Sequence, residues 1–235
     1  MAATLHLLQT RLDARHAARW AGRRGLDPGD TGYLAHSLTR ALFGAYGPQP
    51  FAARLHRGTL EIVGYTAHDR DTLASAAAIT AEPEAAAAFT PDDLLVNPLP
   101  PALPEGLLLN FRLEAVPTRR NRKRGEIDAH QPKRTGIGGR DARRADYRAW
   151  LSERLTDPAT GQAFAELVDM TLETFDLRPL VRRDRDRRTR HTTKPVATLA
   201  GRLRVIDGPG LIQRLGQGVG GHRAFGFGML RIVPA

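Results

Sequence analysis

Four prolines within seven residues, Pro98, Pro100, Pro101 and Pro104, interrupt the chain near its middle. Proline has no amide hydrogen to give a helix or a sheet ladder, and it steers the residue before it away from helical conformation. No regular element is expected to run through this stretch, so the residues on either side must build their own. The break divides the sequence into 1–100 and 105–235, each close to the common domain size of about 100–150 residues.

Both segments carry the same order of elements. In the first, residues 4–12 alternate and fit a strand, and 22–30 are rich in turn formers. Asp30 or Thr31 can cap a helix whose stripe is Leu34, Leu38, Ala41 and Leu42, with Gly44 or Gly47 ending it. Residues 50–66 read as two strands around Arg57-Gly58. A second helix follows over Asp69–Thr80, then a weak strand over Leu94–Leu99. In the second segment a strand covers 107–116, and a basic loop leads to a helix over Ala142–Leu155. Strands follow near Ala163–Leu177 and over Val196–Val205, then a short helix over Gly210–Leu215 and a last strand along FGFGMLRIV. Strand, helix, strand, strand, helix, strand, read twice, predicts an α+β fold: two tandem ferredoxin-like (RRM-like, βαββαβ) domains with antiparallel sheets, 1–100 and 105–235.

The charge points to a partner. Lysine and arginine number 35 against 25 acids, a formal net charge of +10, and 32 of the 35 are arginine. Two stretches concentrate it. Residues 118–148 hold Arg119, Arg120, Arg122, Lys123, Arg124, Lys133 and Arg134 among eleven basic residues, against four acids. Residues 178–194 hold Arg182, Arg183, Arg187, Arg188, Arg190 and Lys194 among eight, against two acids. Guanidinium forks pair with phosphate oxygens and release condensed counterions, so a polyanion is the expected partner. Aromatic residues are sparse near these runs, which favours folded or double-stranded RNA over base-stacked single strands. The competing explanation is a pair of solvated, self-repelling basic loops.

Other classes are excluded. Without cysteine there is no disulfide framework, thiolate metal site or cysteine nucleophile. No apolar window reaches the roughly 18 residues of a membrane span. The N-terminus runs from apolar to basic, the reverse of a secretory signal, so a cytoplasmic location is expected. No His and carboxylate spacing suggests a metal, and no serine elbow appears. Neither metal nor cofactor is expected. Near the C-terminus, residues 216–228 read GQGVGGHRAFGFG. Such a loop offers bare amides for an anion, with His222 and Arg223 adding charge, or simply makes a tight turn into the last strand. It is neither a phosphate-binding loop ending in GK[ST] nor a dinucleotide fingerprint.

The run Gly218-Val219-Gly220-Gly221-His222-Arg223-Ala224-Phe225-Gly226-Phe227-Gly228 resembles the glycine-rich signature of CRISPR repeat-RNA endoribonucleases, and within them the CasE (Cse-type) family of type I-E systems. Phe111 to Arg120, followed by Lys123-Arg124, is similar to that family's central strand and its proline-basic continuation. Tyr33-Leu34-Ala35-His36 with Leu38 and Ala41-Leu42-Phe43 is similar to its first-helix Tyr-x-x-His motif. Val116 stands where the family often has asparagine, and residues 182–190 have no firm counterpart. The resemblance implies an endoribonuclease that binds a CRISPR repeat stem-loop and cuts at its base without metal. The RNA's 2′-hydroxyl attacks the adjacent phosphorus, leaving a 2′,3′-cyclic phosphate and a 5′-hydroxyl. It implies further that the protein stays on the mature crRNA as a subunit of Cascade, with other Cas proteins as partners. Tyr33 and His36 would then be catalytic, since positions i and i+3 share a helix face and imidazole can carry a proton either way near neutral pH. Whether His36 is acid or base is left open. The RNA contacts would be the basic residues named above together with Gly218, Gly220, His222 and Arg223. The alternative is a non-catalytic structured-RNA-binding protein of the same fold.

Overall fold

A computed structural model describes residues 4–123, 125–131, 139–183 and 189–235, with backbone alone at 181–183 and 189–191. The first half runs β1 (His6–Asp13), α1 (Ala14–Arg23), α2 (Thr31–Phe43), β2 (Phe51–His56), β3 (Thr59–Thr66), α3 (Arg70–Thr80), α4 (Pro83–Ala86) and β4 (Leu95–Pro98). The second runs β5 (Leu108–Ala115), β6 (Thr118–Asn121), β7 (Gly125–Asp128), α5 (Arg140–Arg154), β8 (Ala165–Arg183), β9 (Thr189–Val205), α6 (Gly208–Gln217) and β10 (Arg231–Pro234).

Each half forms a four-stranded antiparallel sheet, in the orders β2-β3-β1-β4 and β10-β5-β9-β8. In both, the first strand of the unit lies between its third and fourth, and the second sits at an edge. The two βαββαβ units therefore share one topology, as the repeated element order predicts.

The period of two along the strands chooses the buried face. In β1, Leu8, Thr10 and Leu12 are buried; in β5, Leu109, Phe111, Leu113 and Ala115. The first core adds Trp20, Leu34, Leu38, Leu42 and Phe43 from the helices. The second is built around Tyr147, Trp150 and Leu151 of α5 and Leu211 and Leu215 of α6. The halves are joined as well as linked. Tyr65 of β3 belongs to the second core, and its hydroxyl donates to Leu230 O at 2.9 Å. Burial pushes that phenol's pKa well above its usual value, so it remains a donor.

Four local expectations need correction. Helix α1 was not anticipated, although Ala17, Trp20 and Ala21 are buried at i, i+3 and i+4 and the Asp13 side chain caps it by accepting from His16 N. The basic loop after β5 contains a hairpin, β6–β7. Strands β8 and β9 are longer than expected and carry much of the second basic run as paired backbone. Among the described residues, the part of β9 before Ala197 no longer pairs with β5 and pairs with β8 alone. The last strand is shorter, because Gly226 and Gly228 take φ of 80° and 85° and keep residues 226–229 out of the ladder. Among the described residues, no helix is long and apolar enough to cross a membrane.

Candidate active site and nucleic-acid interface

The site begins at the first turn of α2. Asp30 caps the helix by accepting from Tyr33 N at 3.0 Å. A Cβ on Gly32 would lie 1.9 Å from Phe225 O and 2.6 Å from its carbonyl carbon. The helix therefore backs directly onto the glycine-rich loop of the other half, at a distance only glycine permits. One residue on, the Tyr33 ring stacks on Phe225, with centroids 5.5 Å apart at 27°. His36 follows on the same face, 6.4 Å from Tyr33, and lies parallel to Phe51 of β2 at 6.4 Å. Phe225 and Phe227 themselves pack against Val116, Leu180 and Val196 of the second half.

Both Tyr33 and His36 are half-buried. Among the described residues, neither the Tyr33 hydroxyl nor the His36 ring nitrogens make a hydrogen bond, so these polar atoms remain available to a ligand. Burial, and after it the charge of Arg40, lowers the His36 pKa from 6.5. The free imidazole is therefore mostly neutral at pH 7, the form that accepts a proton.

The glycine-rich loop closes on itself. Val219 N donates to Gly228 O at 2.8 Å, and a Cβ on Gly228 would lie 2.6 Å from Val219 O. Gly218 and Gly220 have φ of 74° and 83°, and His222 takes a left-handed φ of 59°. From that position His222 Nε2 reaches Glu126 Oε2 at 2.8 Å, and Lys194 Nζ donates to the same oxygen at 2.6 Å. The Thr118 hydroxyl donates to Oε1 at 3.1 Å. Two expected RNA contacts are thus held by a carboxylate in the free protein. Burial alone would raise the Glu126 pKa, but the hydrogen bonds from Lys194 and His222 outweigh it and hold the carboxyl at about 2 against 4.5. A depressed folded-state pKa supplies stability that is present above the unfolded value and lost as pH falls through the folded one. Wild-type melting temperature should therefore fall between pH 4.5 and about 2, and Glu126→Gln should flatten that segment. Parallel curves for the two proteins would show that Glu126 does not carry this linkage.

The other expected contacts divide. Arg120, Arg122 and Lys123 are exposed on the β6–β7 hairpin. Arg119 pairs with Glu153 at 2.7 Å, and the exposed Arg223 donates to Gln217 O. Arg182, opposite Arg190, and Arg183 lie on the β8–β9 hairpin. Arg124, Lys133, Arg134, Arg187 and Arg188 lie outside the described residues. Part of the first basic run is scaffold. Arg140 donates to Leu172 O and Glu173 O, and Arg148 to Leu167 O. Arg143 donates to Asp128 at 2.7 Å and to the Tyr147 hydroxyl at 2.8 Å, and lies 3.7 Å over Phe175.

A family model described as CRISPR associated protein matches residues 5–234. The chain belongs to this family. A search of curated proteins finds no match. Among solved structures, the CRISPR-associated chain is similar to a CRISPR endoribonuclease Cse3 bound to a 19 nt RNA, at 21% identity and TM-score 0.65, covering 98% of this chain and 100% of that one. It is similar to the CRISPR-associated protein Cas6e of Escherichia coli K-12, at 19% identity and TM-score 0.57, with 98% and 100% covered. It is also similar to a chain of a CRISPR RNA-guided surveillance complex, at 16% identity and TM-score 0.54, with 97% and 100% covered. At these identities the likeness establishes the fold, in agreement with the repeated sheet order.

Several residues of the candidate site were missed from sequence. Arg40, four residues after His36, has the spacing of a same-face neighbour. Phe51 and Phe225 have no local signal for their meeting with α2. Arg154 is one of several arginines on α5 and Arg214 the single one on α6, and only the fold gathers them with the glycine-rich loop into one cleft.

Proposed function

We propose that this chain is a CasE-type CRISPR endoribonuclease that cuts repeat RNA at the base of its stem-loop by metal-independent attack of the RNA's own 2′-hydroxyl. Residues 1–100 bring the catalytic helix, and 105–235 bring most of the grip. The observation that carries this is the pairing, on one face of α2, of two side chains whose polar atoms make no hydrogen bond among the described residues, backed by the glycine-rich loop. The reaction needs a proton removed from the 2′-hydroxyl, a proton delivered to the 5′-oxygen, and positive charge beside the phosphorane. The neutral imidazole of His36 takes the first proton, and the leaving 5′-oxygen takes the second from solvent water. The Tyr33 hydroxyl orients the phosphate by donating to one of its oxygens, and the guanidinium of Arg40, whose charge already acts on His36, supports the developing negative charge. The exposed arginines of the β6–β7 hairpin and those of β8–β9 hold the stem through its phosphates. Membership of the family and the shared fold of a surveillance-complex chain support retention of the product as a Cascade subunit.

The test is incubation of the purified protein with its repeat RNA in EDTA, with the termini analysed. Cleavage to a 2′,3′-cyclic phosphate and a 5′-hydroxyl is expected. RNA that is bound but uncut would support the non-catalytic alternative, and cleavage abolished by EDTA would overturn the metal-free mechanism.

A further inference from the structure

Arg154, at the end of α5, and Arg214, on α6, face one cleft of about 750 Å³ beside the glycine-rich loop. Arg120 and Arg223 also line it. Both inner guanidinium groups lie over aromatic rings: Arg154 Cζ is 5.8 Å from the Trp150 ring centroid and Arg214 Cζ 5.3 Å from that of Phe164. The Nε of each is buried without a hydrogen-bond partner. Among the described residues neither arginine has a carboxylate in ion-pair range. The cleft's acid, Glu126, is held by Lys194 and His222. Burial, and then the charge of Arg154, lowers the Arg214 pKa, with Asp157 opposing more weakly.

This arrangement costs stability. If the two side chains served only to cover Trp150 and Phe164, neutral chains would do so without repulsion or unmet donors. Fixed guanidinium forks with unspent N–H groups match phosphate oxygens. The cleft shares its glycine-rich wall with the active site, since Arg223 lines it and Phe225, two residues on, stacks on Tyr33. A chain of phosphates passing His36 would thus have its neighbours within reach of the cleft. We propose that Arg154 and Arg214, with Arg120 and Arg223 at the rim, form a second phosphate-binding site that holds RNA backbone adjoining the cut. This rests on the endoribonuclease assignment for its occupant, but not for its chemistry.

Two arms separate these dependencies. In the first, melting temperature is measured in sodium pyrophosphate against sodium chloride of equal ionic strength. Wild type should be stabilised by pyrophosphate and R154Q/R214Q should not. Without any ligand, the variant should melt no lower than wild type, because an unpaired repulsion has gone. Equal responses of both proteins to pyrophosphate would overturn the site. In the second arm, repeat RNA binding is measured across salt concentrations. The double variant should lose roughly one unit of log–log salt slope per lost phosphate contact, while R154K/R214K, which keeps the charge, should retain most of it. A lost pyrophosphate response with an unchanged RNA slope would assign the cleft to another anion, such as an acidic segment of a partner protein, and overturn the RNA occupant. Failure of wild type to bind repeat RNA would overturn the endoribonuclease assignment and with it the occupant, while the first arm still reports on the cleft.

Discussion

His36→Ala is expected to lower the single-turnover cleavage rate by about 100- to 10,000-fold, the usual worth of general acid–base catalysis, and to leave repeat RNA affinity nearly unchanged. The imidazole makes no hydrogen bond among the described residues, so its removal costs only ring packing, on Phe51 and Tyr33 among the described residues. On the proposed reading, affinity rests on arginines elsewhere on the surface. The wild-type kcat/KM should rise with pH through a value below 6.5 and then level, because burial and Arg40 lower the His36 pKa and a base works only when unprotonated. A rate falling with pH over the same interval would make His36 the acid. Normal cleavage by the alanine variant would remove His36 from the chemistry.

Gly32→Ala is the second large effect, and its sign runs against helix propensity. Alanine for glycine within a helix ordinarily stabilises by about 1 kcal/mol. Here the new Cβ would lie 1.9 Å from a backbone carbonyl oxygen, and the atoms it meets are all backbone of Phe225, with no side-chain end among them to swing aside. Overpacking of this kind costs roughly 1–3 kcal/mol or more, which lowers the melting temperature by several degrees in a protein of this size. Cleavage should fall further than stability suggests, since a displacement of about 1 Å at reacting groups can cost about 100-fold. A variant that melts and cleaves like wild type would show that the helix does not seat on the glycine-rich loop.

Much of the fold was legible because local rules agreed with it. Alternation marked β1, Asp30 was one of two candidate caps for α2, and Arg57-Gly58 marked the hairpin turn. Where they failed, a local signal competed with a tertiary one. The arginine density of 178–194 argues for a solvated loop, yet backbone pairing between β8 and β9 extends the ladder through it. Phe225 to Met229 are apolar enough for a strand, yet positive φ at Gly226 and Gly228 keeps them a loop. The Tyr33–His36 face was legible from spacing. That Phe225 backs it, and that Gly32 must be glycine, depends on a contact between the two halves that no local pattern encodes. Likewise, nothing in the sequence marks Arg154 among the arginines of α5, and only the fold sets it against Arg214 of α6.

The central claim is that the RNA supplies its own nucleophile beside His36. Its most direct test is repeat RNA carrying a single 2′-deoxy nucleotide on the 5′ side of the scissile phosphate. Such RNA should bind with wild-type affinity and remain uncut, because the attacking oxygen is gone while every phosphate remains. Cleavage of the deoxy substrate at the same bond would mean that water or a protein group attacks the phosphorus, and would contradict the mechanism.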